Sequence, residues 1–471
     1  MNYIIYMLSK IIIILLLTFG YSQEILTEYL VQDQDTIDVF SYQIPQGYSA
    51  GQLHPLLIAF HQWGGSENST YYTTFDEEAD NRNWMFMSPY GGSSNNYNHQ
   101  GAQEMVKNEI LWMMDNYSID PDRIYMVGGS MGGAAGMIYA NNHLNPIEPM
   151  VAAAASGSGI LDCERRAIEM DGNNSMTEWF GGNWDEVPFE YHRNSAIYFL
   201  DSTQSMHYNL QHTPIYLDFG TSEPHRAHAE EMYDVLLGYN ESMWIDQDPT
   251  GSHGFSVMDE LHTCDWLSQF TLDDSPSSIT VNLDEPSRAY FLEAKNQVDS
   301  TNFIFIDGYE SVDRLVINSY TNSDSLVAYI LNQDLENYTL EINTHIYRLG
   351  ITGDQLISGH NQVDSIYISS SDGAPIDYSM HNNIIWIEDY SFPPDTTILG
   401  EYTLNIEISP TIDGDVNQDG GCNVQDIILM INHIIEAAPL SDEQYPLADM
   451  NGDGGVDIMD IILVVNIIIE R

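Results

Sequence analysis

The stretch Asp122-Arg123-Ile124-Tyr125-Met126-Val127-Gly128-Gly129-Ser130-Met131-Gly132-Gly133-Ala134-Ala135-Gly136 runs from a β-like apolar segment through G-x-S-x-G into a series of small residues. The apolar part reads as a strand, and the small residues favour a helix packed closely behind it. Glycines flanking Ser130 permit a turn so sharp that a Cβ there would strike the neighbouring strand or helix. The Ser130 hydroxyl is therefore predicted to stand clear of a sheet at a helix amino end. The backbone N–H of Met131 lies beside it, able to face an oxygen that gains negative charge.

Outward from this turn, short apolar runs at 56–60, 84–88, 123–127, 151–155 and 214–219 end in small or polar residues and read as strands. Between two of them Ala102, Met105, Val106, Glu109, Ile110 and Met113 recur near the helical period, predicting an amphipathic helix over 103–117. Strand and helix alternating from 28 to 272 predict an α/β domain whose mostly parallel sheet is covered on both faces. Reactive groups then belong on loops at the carboxyl ends of strands.

One such loop is His61-Gln62-Trp63-Gly64-Gly65, directly after Leu57-Ile58-Ala59-Phe60. The N–H of Gln62 or Trp63 is the candidate second oxyanion donor, and His61 reads as a structural histidine ordering the loop. Serine needs a base. Among 15 histidines, His253 is favoured, because Thr250-Gly251-Ser252-His253-Gly254-Phe255 is a small-residue loop after the last apolar run of the domain. His207, His212, His225, His228 and His262 lie in less telling surroundings. Two acids compete to orient the base: Glu223, in the turn Gly220-Thr221-Ser222-Glu223-Pro224, and Asp218, inside the preceding strand. The strand-end rule favours Glu223. A long insertion from 156 to 212, carrying Trp179, Phe180, Trp184, Phe189, Tyr191, Tyr198 and Phe199, is a candidate cap with an aromatic core of its own.

Composition bounds the partners. Against 70 Asp and Glu stand 13 Lys and Arg, a formal charge of −57, so neither nucleic acid nor an anionic bilayer is attracted. A chain that is 43% hydrophobic and 18% charged is no disordered polyanion. Residues 1–22 carry Lys10, the apolar run 11–17 and then Gly20-Tyr21-Ser22, the pattern of a secretory signal, so a secreted, extracellular protein is expected. No membrane span is expected, since that run is short and 461–469 is interrupted by Asn466. Export permits one disulfide, and Cys163 with Cys264, in one domain, is the available pair; Cys422 is left over.

Four segments follow: the signal at 1–22, the α/β domain at 23–273, a region at 279–410 of short alternating runs that reads as an all-β sandwich, and a duplicated unit at 412–471. In the duplicated unit Asp415, Asn417, Asp419, Gly420 and Asp426 recur 34 residues later as Asp449, Asn451, Asp453, Gly454 and Asp460. Oxygens at loop positions 1, 3 and 5, a backbone carbonyl at 7 (Gly421, Gly455) and an acid at 12 wrap a hard cation, so two structural calcium ions are expected. Apolar helices are expected at 427–435 and 461–469.

Residues 50–270 resemble the α/β-hydrolase fold, and within it secreted esterases of the feruloyl esterase and polyhydroxybutyrate depolymerase group. The matching pieces are HQWGGS at 61–66, DPDRIYMVGGSMGG at 120–133, FGTSEP at 219–224 and GSHGFS at 251–256. The resemblance implies Ser130 as nucleophile, His253 as base and Glu223 as acid in a serine carboxylic-ester hydrolase acting on polymeric or polysaccharide-linked esters. Relatives commonly carry HG before the oxyanion glycines and Asp in the acid turn, where this chain has His61-Gln62 and Glu223. The chain is also similar, in places, to cutinase-like polyesterases and prolyl-oligopeptidase-like peptidases. The duplicated end resembles a dockerin type I domain, which implies a cohesin-bearing scaffold as partner. Val424-Gln425 and Ile458-Met459 stand where such domains often carry small hydroxyl residues. A non-catalytic, calcium-dependent scaffold component is the remaining reading.

Overall fold

The structure is a computed structural model; it describes residues 23–32, 35–171, 175–249, 251–331, 335–359, 361–388, 398–410, 414–417, 421–435, 437–441, 444–451 and 454–470. The expected signal at 1–22 and the loop acids Asp419 and Asp453 lie outside the described residues. The chain divides into two compact units, 1–274 and 275–471.

The first unit is built on an eight-stranded sheet of β1 (Leu26–Gln32), β2 (Asp35–Gln43), β3 (His54–Phe60), β4 (Met85–Pro89), β5 (Ile119–Gly129), β6 (Ala153–Gly157), β7 (Ile215–Gly220) and β8 (Met243–Asp248), in the order 1-2-4-3-5-6-7-8. The β1–β2 and β2–β4 pairs are antiparallel and every pair from β4 to β8 is parallel. This is the α/β-hydrolase sheet. Because β3 lies between β4 and β5, Phe60 faces Gly128 across the ladder, and the loops leaving β3 and β5 start side by side.

All seven residues of β3 are buried, as a strand covered on both faces requires. Alternate side chains serve two cores: Leu56, Ile58 and Met126 pack with Val106, Ile110 and Met113 of the Gln100–Asn116 helix, while Leu57, Ala59 and Tyr125 pack with Phe75 and Leu267. That helix starts three residues before the expected position 103. The periodicity reading passed over β1, β2 and β8. In β8, Met-Trp-Ile-Asp-Gln-Asp is an edge strand with no fully buried position, so its hydrophobic signal is weak.

The Cys163–Cys264 bridge does not form. Both thiols are free and buried. Cys163 is enclosed with Ile160 and Tyr191, and Cys264 with Phe75 and Leu267, in separate apolar clusters. Burial pushes each thiol up to about 12. Sequence spacing says nothing about which side of a sheet a cysteine occupies, and a bridge demands close Cα atoms.

In the second unit, one six-stranded sheet runs from Asn361–Ser370 through Ile398–Pro410, Leu335–Ile346, Arg314–Thr321 and Ile304–Ser311 to Ser278–Leu283. Another runs from Arg288–Ala289 through Leu292–Ala294, Ser325–Tyr329, Arg348–Thr352 and Ile384–Glu388 to Tyr378–His381. Burial alternates as a sandwich requires: Ile304, Ile306, Leu315 and Ile317 are inside while Arg314 and Asn318 are exposed. Beyond these sheets the Val424–Ile434 and Ile458–Glu470 helices pack around Val416, Met430, Ala448 and Val464. Each begins three residues before its expected start. Asn423 accepts from the Gln425 N–H, and Asp426 reaches back to the Asn423 N–H at 2.8 Å, a reciprocal cap that starts the helix early. Asp457 and Asp460 repeat the arrangement. Among the described residues no helix is long and apolar enough to cross a membrane.

Candidate active site

Ser130 sits between β5 and the helical turn Gly132–Ala134 with a φ of +56°, the left-handed region that side chains rarely adopt. A Cβ on Gly128 would lie 2.1 Å from the Gly132 carbonyl oxygen, which is why the motif needs glycine there. The turn is pinned from both ends. The Ser130 N–H donates to Gly157 O at 2.8 Å, and Ser130 O accepts the Gly133 and Ile160 N–H groups at 3.0 and 3.2 Å.

Two loops from distant parts of the chain line up behind the serine hydroxyl, His253 against it and Glu223 against His253. His253 Nε2 lies 2.7 Å from Ser130 Oγ, and His253 Nδ1 lies 2.8 Å from Glu223 Oε2. A carboxylate only accepts, so Nδ1 carries the ring proton and Nε2 presents a lone pair to the serine O–H. The Glu223 side chain is fully enclosed while that of His253 is 38% exposed, so the acid is shielded and the base opens to solvent. Glu223 Oε1 is buried and, among the described residues, has no hydrogen-bond partner.

Asp218, the competing acid, stays within β7. Its Oδ1 is buried with no hydrogen-bond partner among the described residues, and its carboxyl is pushed up to about 7 by burial, then by Asp246 and Asp248. Of the two acids, the structure brings Glu223 to His253.

Met131 follows Ser130 in the turn, and Gln62 and Trp63 lie on the loop that leaves β3 beside β5. Met131 is 2% exposed, and among the described residues neither its N–H nor those of Gln62 and Trp63 donate a hydrogen bond. The loop carrying Gln62 is held by Gly65 N–H to Gln62 O at 2.9 Å and Gly64 N–H to Ser94 O at 2.7 Å. His61 ties it further, with Nδ1 2.8 Å from Gln62 O and Nε2 3.0 Å from Tyr90 O. Trp63 is 59% exposed and its indole N–H donates to Ser175 Oγ of the insertion at 3.3 Å. Three of the insertion's seven aromatic residues named above are core: Phe180, Phe189 and Tyr191 are buried, and Phe180 and Tyr191 pack in the cluster that contains Met131. Trp179 stacks on His99 at 4.6 Å.

Glu169, His225 and His228 bring one ligand-type atom each within 4.8 Å of one another, and the His225 ring lies 5.1 Å from that of His253. The tautomer argues against a cation here. His228 Nδ1 accepts the Leu161 and Asp162 N–H groups at 3.2 and 3.3 Å, so the neutral ring holds its proton on Nε2, 3.8 Å from Glu169 Oε1. An N–H, not a lone pair, faces Glu169, whose carboxyl is pulled down to about 2, chiefly by His228. Burial lowers His225 to about 3 and keeps its ring neutral beside the base.

In the duplicated end, Asp415, Asp426 and Asp460 are buried, and residues 411–470 contain no Lys or Arg. Asp449 Oδ1 is buried and, among the described residues, has no hydrogen-bond partner. Backbone N–H groups of Asn417 and Asn423 orient Asp426, and those of Met450, Asn451 and Asp457 orient Asp460, leaving acceptor capacity on each carboxylate. Buried carboxylates in an all-oxygen set without a cationic side chain suit a hard divalent cation.

Residues 413–469 match the dockerin type I domain family. No curated protein matches the chain. Among solved structures, an S-formylglutathione hydrolase from Agrobacterium tumefaciens is 11% identical, matching 52% of this chain and 94% of its own with a TM-score of 0.39. A ferulic acid esterase is 14% identical over 53% of this chain and 96% of its own, TM-score 0.38. An acylaminoacyl peptidase from Pyrococcus horikoshii is 14% identical over 53% of this chain and 41% of its own, TM-score 0.41. At these scores the fold assignment rests on the strand order and the turn at Ser130.

Sequence reading missed Asn96, Tyr97 and Asn98, which touch Met131 or support the residues that do. Their signal was an asparagine-rich loop leaving a strand's carboxyl end, a place where side-chain amides replace missing backbone partners.

Proposed function

We propose that this chain is an exported serine carboxylic-ester hydrolase that acts through an acyl-enzyme on esters carried by a polymer or polysaccharide. The observation that carries the reading is the unbroken relay of Ser130 Oγ, His253 Nε2, His253 Nδ1 and Glu223 Oε2, at 2.7 and 2.8 Å. Ser130 Oγ attacks the ester carbonyl carbon while its proton passes to His253 Nε2. Glu223 holds the ring's orientation and offsets the imidazolium charge. The N–H of Met131, with that of Gln62 or Trp63, receives the oxyanion. Collapse expels the alcohol, which takes the proton from His253. Water then attacks the acyl-serine, giving its proton to the same nitrogen, and the acid leaves as Ser130 is restored.

Asp415, Asn417, Gly421 and Asp426, with Asp419, would hold one calcium ion, and Asp449, Asn451, Gly455 and Asp460, with Asp453, a second. Calcium held there would be structural, offsetting the buried carboxylate charge that these loops bring together. Dockerin domains bind cohesins of scaffold proteins, and anchoring an enzyme beside a polymer raises its effective concentration on that substrate. This supports the polymer half of the reading, with a cohesin-bearing scaffold as partner.

The test is labelling of the full chain with a fluorophosphonate. Wild type should be modified at Ser130, and Ser130→Ala should not. Absence of labelling in folded wild type would favour the non-catalytic scaffold reading. Release of a phenolic or acetyl acid from decorated polysaccharide, of hydroxyalkanoate from polyester, or of amine from a peptide then separates esterase, depolymerase and peptidase.

A further inference from the structure

We infer that Asn98 is a positioning residue for the oxyanion site: it holds Met131 by its carbonyl oxygen and thereby fixes where the Met131 N–H points. The inference rests on the acyl-transfer reading above and adds a residue that neither the motif nor the relay contains.

Tyr97 and Asn98 are consecutive residues with φ of +47° and +55°. Left-handed backbone is tolerable for Asn but unfavourable for Tyr, and such strain persists only where the surroundings over-determine it. Here the two residues converge on one target. The Asn98 Nδ2 amide donates to Met131 O at 3.0 Å, and the Tyr97 N–H points at Met131 Sδ at 3.4 Å. Asn98 is itself held on both sides: its N–H donates to Asn96 Oδ1 at 2.9 Å, and its carbonyl accepts Gln103 Nε2 at 2.9 Å. The Asn96 Nδ2 amide in turn shares its two N–H groups among the carbonyls of Tyr90, Gly91 and Ser93, each at 3.1 Å. Asn96, Asn98, Gln103 and Met131 are all buried, so water does not compete for these bonds.

Two peptide planes meet at the Met131 Cα. The first, which contains the N–H donor, is tethered through Ser130 O by Gly133 and Ile160. The second ends in Met131 O, whose bond within the turn, from the Ala134 N–H, is long at 3.4 Å. The shorter Asn98 bond supplies its anchor. With both planes held, the N–H does not tip as charge builds on the substrate oxygen, which is the preorganisation that makes such donors effective.

Asn98→Gly and Asn98→Asp, made in the full chain, test this. Both residues accept left-handed backbone, and both remove the Nδ2–H donor. With p-nitrophenyl acetate, kcat should fall roughly 10- to 100-fold while KM stays within about twofold. The rate constant for fluorophosphonate inactivation should fall in parallel, because phosphonylation uses the same donors. Asn98→Gly keeps the left-handed backbone but loses one buried hydrogen bond, so it should fold and melt several degrees below wild type; this variant decides the matter if Asn98→Asp fails to fold. A folded Asn98→Gly with wild-type kcat and wild-type labelling would overturn the inference and leave the serine-hydrolase reading intact. Wild-type protein that is not labelled at Ser130 would instead remove the reading on which it rests.

Discussion

Replacing Glu223 with Gln removes one charge from a fully enclosed side chain and leaves its shape. In the resting enzyme the change is small, because an amide oxygen also accepts the His253 Nδ1 proton. The cost appears when His253 takes the Ser130 proton and becomes cationic. Glu223 Oε2 lies 2.8 Å from Nδ1, which places the two charge centres about 4 Å apart. At an effective dielectric near 20 the lost attraction is ~4 kcal/mol, about 10³ in rate. The His253 side chain is 38% exposed, so solvent screens part of this and a fall in kcat of about 10² to 10³ is expected. The loss grows if the amide turns its NH₂ toward the ring, since Nδ1 would then surrender its proton and Nε2 would no longer accept from serine. The assay is kcat and KM for p-nitrophenyl acetate, with active sites counted by fluorophosphonate titration and folding checked by circular dichroism. Asp218→Asn is the control and should stay within about threefold of wild type, as it lies outside the relay. Glu223→Gln within tenfold of wild type, together with a hundredfold loss in Asp218→Asn, would refute the assignment of the acid.

Gly254 has a φ of +64°, and a Cβ there would fall 1.7 Å from Gln62 Oε1; Gly254→Ala should therefore cost ~1–2 kcal/mol, lower Tm by several degrees and reduce kcat as the Gln62 loop shifts. Unchanged calorimetry and kinetics would contradict that packing. Asp218, with its folded pKa raised to about 7 from 3.8, contributes stability fully present below about pH 4 and lost as pH rises through 7. The Tm of Asp218→Asn relative to wild type should accordingly climb between pH 4.5 and 8, and a flat difference would show that the carboxyl is not buried in its neutral form. Chelation with EGTA should melt the 413–469 domain at lower temperature, a shift equivalent to ~2.7 kcal/mol when calcium stands at a hundred times its Kd. Asp449→Ala should reduce the calorimetric stoichiometry from about two ions to about one. Calcium-independent melting would exclude these loops as metal sites.

Much of the molecule was legible because its signals are local. Gly128 to Gly132 announce a turn in which the hydroxyl-bearing residue has no room for neighbours' Cβ atoms, and that constraint is written in five consecutive residues. The 34-residue repeat of Asp, Asn and Gly likewise states a ligand set without reference to the rest of the chain. The preference for Glu223 over Asp218 likewise rests on position, since a side chain inside a strand points into a core layer while one in the following turn reaches over the sheet edge. Helix starts were misjudged at 424 and 458 because the capping acids were counted only as loop ligands.

What only the tertiary structure decided concerns groups far apart in the chain. Cys163 and Cys264 share a domain but occupy separate apolar clusters, and no spacing rule knows of that separation. Placing β3 between β4 and β5 is what sets the Gln62 loop beside Ser130, and neighbour order in a sheet is a property of how layers pack rather than of any strand's own residues. Asn98 carries no motif; its role exists because a strained loop from one strand end meets the carbonyl of a residue 33 positions away. Local sequence determines backbone conformation and the chemistry a residue can offer, whereas contact between distant residues emerges only when burial brings the layers together and the buried polar groups must find partners.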